Sequence, residues 1–422
     1  MRPLRGKKNV TVLGLGNTGL ASALFLARRG YSVFVSDLQS SGTLQARAAR
    51  LREGRIPFEL GRHSFEKIGA SDWVLLSPGI SPDSEIHRRL LERHIPLVSE
   101  IEVASWFSPG RLTAVTGTSG KTTVVTLLQR ILEAHGRASL ACGNIGNPWI
   151  GELDRITPDT EVVLEVSSFQ LLHTHSLRPE LGILLNLGLN HLDWHPTMED
   201  YVAAKLRLFQ NQGPGDVALL RREDQGKFFP RHRFGGRVVY CDPGPGENAN
   251  QKLLLQVAGL RGLEDRRTRE VLAKFEGLEH RMERVATVRG IDFVNDSKCT
   301  TLEALCWALD QFSDGRVILL AGGHDKGADF HRVRDRLQRK LKRAVLFGEA
   351  QDLLWQNWEG ASPLCRARDL AGAFQEALRI AEPGDTILLS PACASFDQFS
   401  SYKERGERFK GLVADLTHQV AL

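Results

Sequence analysis

The sequence predicts an α/β protein of three domains, and three observations predict it. Short β-branched runs alternate with helical stretches along the whole chain, the pattern of parallel sheets covered by helices. Two glycine-rich loops, at 14–19 and 116–123, each stand between a strand-like run and a helix-like run. A length of 422 residues exceeds what one hydrophobic core organises.

The first domain begins with a strand at 10–13, turns at Gly14-Leu15-Gly16-Asn17-Thr18-Gly19 and enters a helix over 20–29. A second strand at 32–35 leads to Asp37, and a later one at 73–76 leads to Ser77-Pro78-Gly79-Ile80. This is a Rossmann-like arrangement reaching to residue 99. A strand at 112–115 opens a P-loop domain over 100–279, with a helix at 124–132 and further strands at 162–166 and 183–186. The stretch 213–248, rich in Gly, Pro and Arg, shows no readable period. A second Rossmann-like domain follows over 280–422, with strands near 293–295, 317–321 and 344–347.

Composition narrows the function classes. With 42% hydrophobic and 25% charged residues, the chain is of the ordinary soluble type. A net charge of +5 suits an anionic ligand but falls short of the basic face that binds nucleic acid. No apolar run approaches the ~20 residues of a membrane span, and the basic N-terminus runs into a strand and a glycine loop, unlike a secretory leader. Six cysteines without C-x-x-C spacing suggest reduced thiols in a cytoplasmic enzyme.

The first loop, with Asp37 at the end of the next strand, satisfies the dinucleotide fingerprint. Its glycines allow a tight turn and close approach of a diphosphate to a helix N-terminus. Three readings stay open for it: the NAD site of an oxidoreductase, a cradle for another diphosphate such as a UDP-sugar, or a packing turn. The second loop supplies Gly117, Thr118, Ser119, Gly120, Lys121, Thr122 and Thr123. It lacks the first glycine of the strict P-loop pattern, where Val115 stands, but keeps the core, the strand and the helix. Its backbone N–H groups would cradle phosphates, Lys121 would neutralise them, and Thr122 would bind magnesium.

Glu165 ends a strand and offers magnesium a hard oxygen ligand; His191, in Asn190-His191-Leu192-Asp193, is a less usual ligand and could equally be a hydrogen-bonded loop histidine. Lys205 lies in an amphipathic stretch, 201–209, with Tyr201 and Phe209 one turn away on either side. Register alone reads it as a solvated helix lysine.

Taken in order, the motifs resemble the Mur ligase family. They are GLGNTG at 14–19, SPGI at 77–80, TGTSGKTT at 116–123, GNIG at 143–146, LEVSSFQL at 164–171, NHLDWH at 190–195 and YVAAK at 201–205. The series continues with GLEHRME at 277–283, NDSKCTT at 295–301, GGHDKGADF at 322–330 and SPACASFDQF at 390–399. The resemblance implies a cytoplasmic, monomeric, ATP-dependent ligase that joins D-glutamate to UDP-N-acetylmuramoyl-L-alanine, without nucleic-acid or membrane partners. It implies that Asn17, Thr18, Asp37, Ser77 and Gly79 surround uracil and diphosphate, and that Asn144 faces the sugar-peptide. Lys121, Thr122 and Thr123 take the phosphates, and Thr122 and Glu165 share one magnesium. His191 and Lys205 serve a second magnesium, with the lysine carbamylated, which turns a repelling ammonium into carboxylate-like oxygens. Arg281 and Asp296 grip ATP, while Thr300, Lys326, Ser395 and Tyr402 form the D-glutamate pocket.

The sequence departs from the family pattern at several points. Ser119 and Thr301 replace usual asparagines, and Tyr402 a usual phenylalanine. The adenine segment reads Gly-Glu247-Asn248-Ala249-Asn250-Gln251 in place of Gly-x-His-Asn-x-x-Asn, after a shortened stretch.

Overall fold

The computed structural model describes residues 6–188, 195–244, 247–275, 277–325 and 328–421. His191 and Lys326 lie outside them. The chain forms two compact units, Met1–Phe275 and Glu276–Leu422, and the described residues carry three sheets.

The first sheet holds β1 (Asn9–Leu13), β2 (Ser32–Asp37), β3 (Phe58–Leu60), β4 (Trp73–Leu76) and β5 (Leu97–Ser99). They run parallel in the order β3-β2-β1-β4-β5. The second holds β6 (Arg111–Thr116), β7 (Ser139–Gly143), β8 (Glu161–Glu165), β9 (Leu181–Leu184), β10 (Val217–Leu220) and β11 (Arg237–Tyr240). These are also parallel, in the order β11-β10-β9-β6-β8-β7. The third, in the second unit, holds β12 (Glu283–Val288), β13 (Ile291–Asn295), β14 (Val317–Gly322), β15 (Leu341–Phe347), β16 (Leu364–Arg366) and β17 (Thr386–Leu389). Its order is β12-β13-β17-β14-β15-β16, with one antiparallel pair, β12 and β13, at an edge.

β4, which reads Trp-Val-Leu-Leu, and β14, which reads Val-Ile-Leu-Leu-Ala-Gly, are apolar on both faces and buried throughout, as helix-covered parallel strands tend to be. The first two sheets share one core, in which Trp73 meets Trp106 edge-on at 5.6 Å and Trp149 is 1% exposed. Removing such a buried ring costs about 3–5 kcal/mol. Glu102, buried in the connecting helix Glu100–Ser105, accepts from the backbone N–H groups of His175, Ser176 and Leu177.

In open α/β sheets chemistry collects beyond the carboxyl ends of strands where the order reverses. Here β1 and β4 lie side by side and deliver Gly14 and Ser77; β8, β6 and β9 deliver Glu165, the P-loop and Asn186. The adjacent β13, β17 and β14 lead into the motifs at 295–301, 390–399 and 322–330.

Segment 213–248 is ordered where described. It contributes β10, the helix Arg222–Phe228 and β11, short edge elements that glycine and arginine mask in the sequence. All six cysteines are free thiols. Among the described residues no helix is long and apolar enough to cross a membrane.

Candidate functional site

The helix Lys121–Ala134 starts where Gly120 adopts φ +80°, a left-handed conformation that glycine tolerates. Residues that follow β9 brace the loop before it. Thr118 N–H donates to Asn186 O (3.0 Å) and Ser119 N–H to Asn186 Oδ1 (2.9 Å). Thr118 Oγ1 is hydrogen-bonded to Tyr201 OH at 3.1 Å and accepts from Gly188 N–H at 3.0 Å.

Two lysines converge on one carbonyl of this loop. Lys121 Nζ donates to Gly117 O (2.9 Å) and Thr118 O (3.1 Å); Lys205 Nζ donates to the same Gly117 O (2.9 Å) and to Thr116 Oγ1 (3.4 Å). Lys205 is 2% exposed, so the solvated lysine expected from register is corrected: the P-loop covers its face of the helix. Burial, then the nearby charge of Lys121, pushes its amine well below the usual lysine range. Tyr201 flanks it as expected, the ammonium 4.6 Å from the ring centre. Phe209 does not continue the same helical face. The helix closes at Leu206, a 3₁₀ turn follows, and Phe209 packs on Phe234.

At the end of β8, Glu165 is 2% exposed. Its Oε1 accepts from Asn144 Nδ2 at 2.9 Å; its Oε2 has no hydrogen-bond partner among the described residues. A buried carboxylate oxygen left so costs free energy unless a cation arrives. With the buried Thr122 following Lys121 on the loop, this donor set fits a hard divalent ion. Lys205 as a free amine does not.

The five residues assigned to uracil and diphosphate gather at the first loop. A cavity of about 900 Å³ is lined by Thr18, Asp37, Ser77 and Gly79 with the loop glycines, and Asn17 opens the helix beside it. Asp37 shapes the turn, its Oδ2 accepting from Leu15 N–H at 2.6 Å and its Oδ1 from Gln39 N–H at 2.8 Å. The structure separates Asn144 from this group and puts it against Glu165.

In the second unit the motif loops are knotted together by polar contacts. His324 and Ala394 exchange backbone hydrogen bonds of 2.8 and 3.0 Å. Arg405, fully buried, donates to Ser297 O, Cys393 O and Gly322 O, one acceptor from each loop. Asp296 accepts from Ser390 Oγ (2.8 Å) and Met282 N–H (3.2 Å), and burial pushes its carboxyl up to about 6. Ser395 is buried, Thr300 and Tyr402 are half-buried, and the Lys298 ammonium lies 5.5 Å from the Tyr402 ring centre. Thr301 caps the helix Leu302–Asp310 by accepting from Ala304 N–H. His280, Met282 and Ala392 hold positive φ (62°, 47° and 59°), and Arg281 stands between the first two. Strain of this kind concentrates in functional loops.

Known proteins resemble this chain along nearly its whole length. The family model of the Mur ligase MurD-like N-terminal domain matches residues 8–99, that of the Mur ligase middle domain 115–241, and that of the Mur ligase glutamate ligase domain 280–393. The UDP-N-acetylmuramoylalanine–D-glutamate ligase of Pelotomaculum thermopropionicum is 36% identical over 447 residues, covering 97% of this chain and 98% of that protein.

The chain belongs to the Mur ligase family.

A second relative with the same name, from Koribacter versatilis, is 36% identical over 99% of both chains. Among solved structures, the Mur ligases MurC and MurF of Thermotoga maritima, the latter in complex with ADP, superpose with TM-scores of 0.57 each. They are 16% and 15% identical, and cover 96% and 98% of this chain and 99% and 100% of their own. At that identity they show a shared fold. Membership of the Mur ligases removes the oxidoreductase reading of the first loop.

Several residues of the site escape sequence reasoning. Asn186 braces the P-loop but sits just past a strand whose end is misplaced by two residues. Asn250 lies against the P-loop, its Oδ1 3.3 Å from where a Cβ on Gly120 would stand. Asn248 caps the helix Ala249–Leu260, accepting from the N–H groups of Asn250 and Gln251. The departing segment 247–251 thus still reaches the nucleotide loop. His195, buried, is hydrogen-bonded to Ser168 Oγ at 2.9 Å and stacks on Phe169. The NHLDWH motif was the only signal for it.

Proposed function

We propose that this chain is the ligase that couples D-glutamate to UDP-N-acetylmuramoyl-L-alanine at the expense of ATP, in the cytoplasm. The observation that carries the reading is the full-length relationship to ligases of that name. Residues 1–99 take the UDP-substrate, 100–279 take ATP, and 280–422 supply the amino-acid pocket.

An alanyl carboxylate is a poor electrophile, so the amide bond needs an activated acyl group. A carboxylate oxygen attacks the γ-phosphorus of ATP, the bond to the β-phosphate oxygen breaks, and ADP leaves behind an acyl phosphate. The neutral amine of D-glutamate then adds to the acyl carbon. The tetrahedral intermediate expels inorganic phosphate, and the amine gives up a proton. Lys121 stands over the P-loop carbonyls, placed to turn its charge onto the phosphates as they enter. Magnesium would be held by Thr122 and by Glu165, whose Oε2 is unspent, and would screen the repulsion between the anions.

A second magnesium would require Lys205 to carry a carbamate beside His191. Burial lowers the amine's pKa and so favours the neutral form, which can attack carbon dioxide and lose a proton. Arg281 and Asp296 serve ATP, and Thr300, Lys326, Ser395 and Tyr402 serve D-glutamate. Closure around them would exclude water from the acyl phosphate.

The test is ADP release with ATP, UDP-N-acetylmuramoyl-L-alanine and a panel of amino acids. D-glutamate alone should support stoichiometric ADP and amide formation. Equal or faster turnover with L-lysine, D-alanine or L-glutamate would overturn the specificity.

A further inference from the structure

The helix Gly42–Glu53 faces the first glycine loop and places one cation on it. Arg47, half-buried, reaches across so that Nη2 donates to Asn17 Oδ1 at 2.8 Å and Nη1 to Leu15 O at 3.3 Å. Both acceptors are neutral, and Arg47 forms no ion pair with a carboxylate among the described residues. The other arginine on the cavity wall differs, since Arg89 is spent on Glu85 at 2.5 Å and lies 5.6 Å from the Phe65 ring centre. A guanidinium offers five N–H donors in a planar fork, and the two bonds to the loop leave others for the cavity that Arg47 lines.

The charges on the rest of the cavity favour an anion there. Its one carboxylate at the loop, Asp37, has each oxygen already engaged by a backbone N–H. The helix Asn17–Arg28 begins without a side-chain cap and with no acidic residue in its first turn, so its N–H groups face the same space unneutralised. A fork with N–H donors to spare, held over such a terminus, suits the oxygens of a phosphate.

We propose that Arg47 is a substrate-binding residue that pairs with the diphosphate of the nucleotide-sugar, beyond the residues that the family motifs mark. This rests on the UDP-substrate reading of the first loop. The bonds to Leu15 and Asn17 hold the guanidinium in place before the ligand arrives, so little side-chain entropy is left to lose on binding.

The experiment titrates the full-length protein with UDP and, separately, with uridine, by calorimetry or competition, for wild type, Arg47→Ala and Arg47→Lys. Arg47→Ala should weaken UDP by about tenfold to a hundredfold, the range of a charged hydrogen-bonded pair, and leave uridine within about twofold. Arg47→Lys should recover part of the UDP affinity, because a point charge replaces the fork. The KM for the UDP-substrate should rise in Arg47→Ala while that for ATP holds. Equal weakening of UDP and uridine would overturn the proposal, since Arg47 would then only brace the loop; unchanged UDP affinity would overturn it outright. Thermal melting of the alanine variant guards against a folding artefact, and Arg47→Lys provides the test should the alanine variant melt early. Wild-type protein that binds UDP but makes no D-glutamyl product would overturn the proposed ligase and leave this inference standing.

Discussion

The loop after β1 and the loop after β6 share glycines, a buried strand before them and a helix after them, yet their surroundings differ in kind. At the first, the carboxylate of Asp37 is absorbed in shaping the turn, and one arginine stands at the rim of an open cavity. At the second, two lysines crowd a single carbonyl while a buried carboxylate keeps one oxygen unspent. The first suits a ligand held by its shape and fixed charge. On the proposed function, the second would come into balance with phosphate and a metal ion, as transfer chemistry requires. Glycine spacing reports a backbone turn; the strand ends beside it decide what the turn is for.

The comparison breaks most sharply at Lys121. Lys121→Ala should lower ADP release by about a thousandfold, because the phosphate charge loses its partner in a site organised around it, while UDP affinity at the first loop stays intact. Near-normal turnover would make the second loop merely structural. Next comes Lys205. Lys205→Ala should lose about a hundredfold, the cost typical of a lost metal-site or charge-stabilising group, and acetate or formate should restore part of it. Lys205→Arg should remain inactive, since a guanidinium cannot become a carbamate; full activity in that variant would leave the carbamate without support. A smaller and more selective effect is expected at Lys326, where Lys326→Ala should raise the KM for D-glutamate by about tenfold, as for a lost carboxylate pair, and spare the KM for ATP. An unchanged KM for D-glutamate would remove Lys326 from the pocket.

Glu100 sharpens the contrast from the side of stability. Like Glu165 it is buried with Oε2 unpartnered among the described residues, but it lies at the link between the two sheets and not beside the P-loop. Burial raises its carboxyl from 4.5 to about 7. The folded protein therefore keeps a proton that the unfolded chain gives up above about 4.5. Its contribution is complete below that pH and is lost as pH rises through about 7, a change of up to about 3 kcal/mol at 1.36 kcal/mol per unit. Glu100→Gln should therefore match wild type in urea midpoint near pH 4.5 and exceed it at pH 8. Equal midpoints at both would mean that Glu100 ionises freely.

Strands built from continuous apolar runs, such as β4 and β14, were legible in the sequence, as were the two glycine loops and the order of the motifs. Strands of three residues, such as β3, β5 and β16, carry no period to read, and β10 and β11 hide among glycines and arginines. Lys205 shows the limit within the site. Its register was readable, but its burial is set by a loop nearly ninety residues earlier that folds over it. Asn186 and Arg405 were missed for the same reason: each acts by bracing a distant backbone, and a single amide or guanidinium leaves no periodic trace.

The central claim is that this site makes an acyl phosphate from the alanyl carboxylate and then gives it to D-glutamate. The direct test supplies UDP-N-acetylmuramoyl-L-alanine labelled with oxygen-18 in both carboxylate oxygens, with ATP and D-glutamate, and weighs the phosphate released. One labelled oxygen should appear in each phosphate, with the other retained in the new amide. Phosphate free of label while the amide forms would contradict the account.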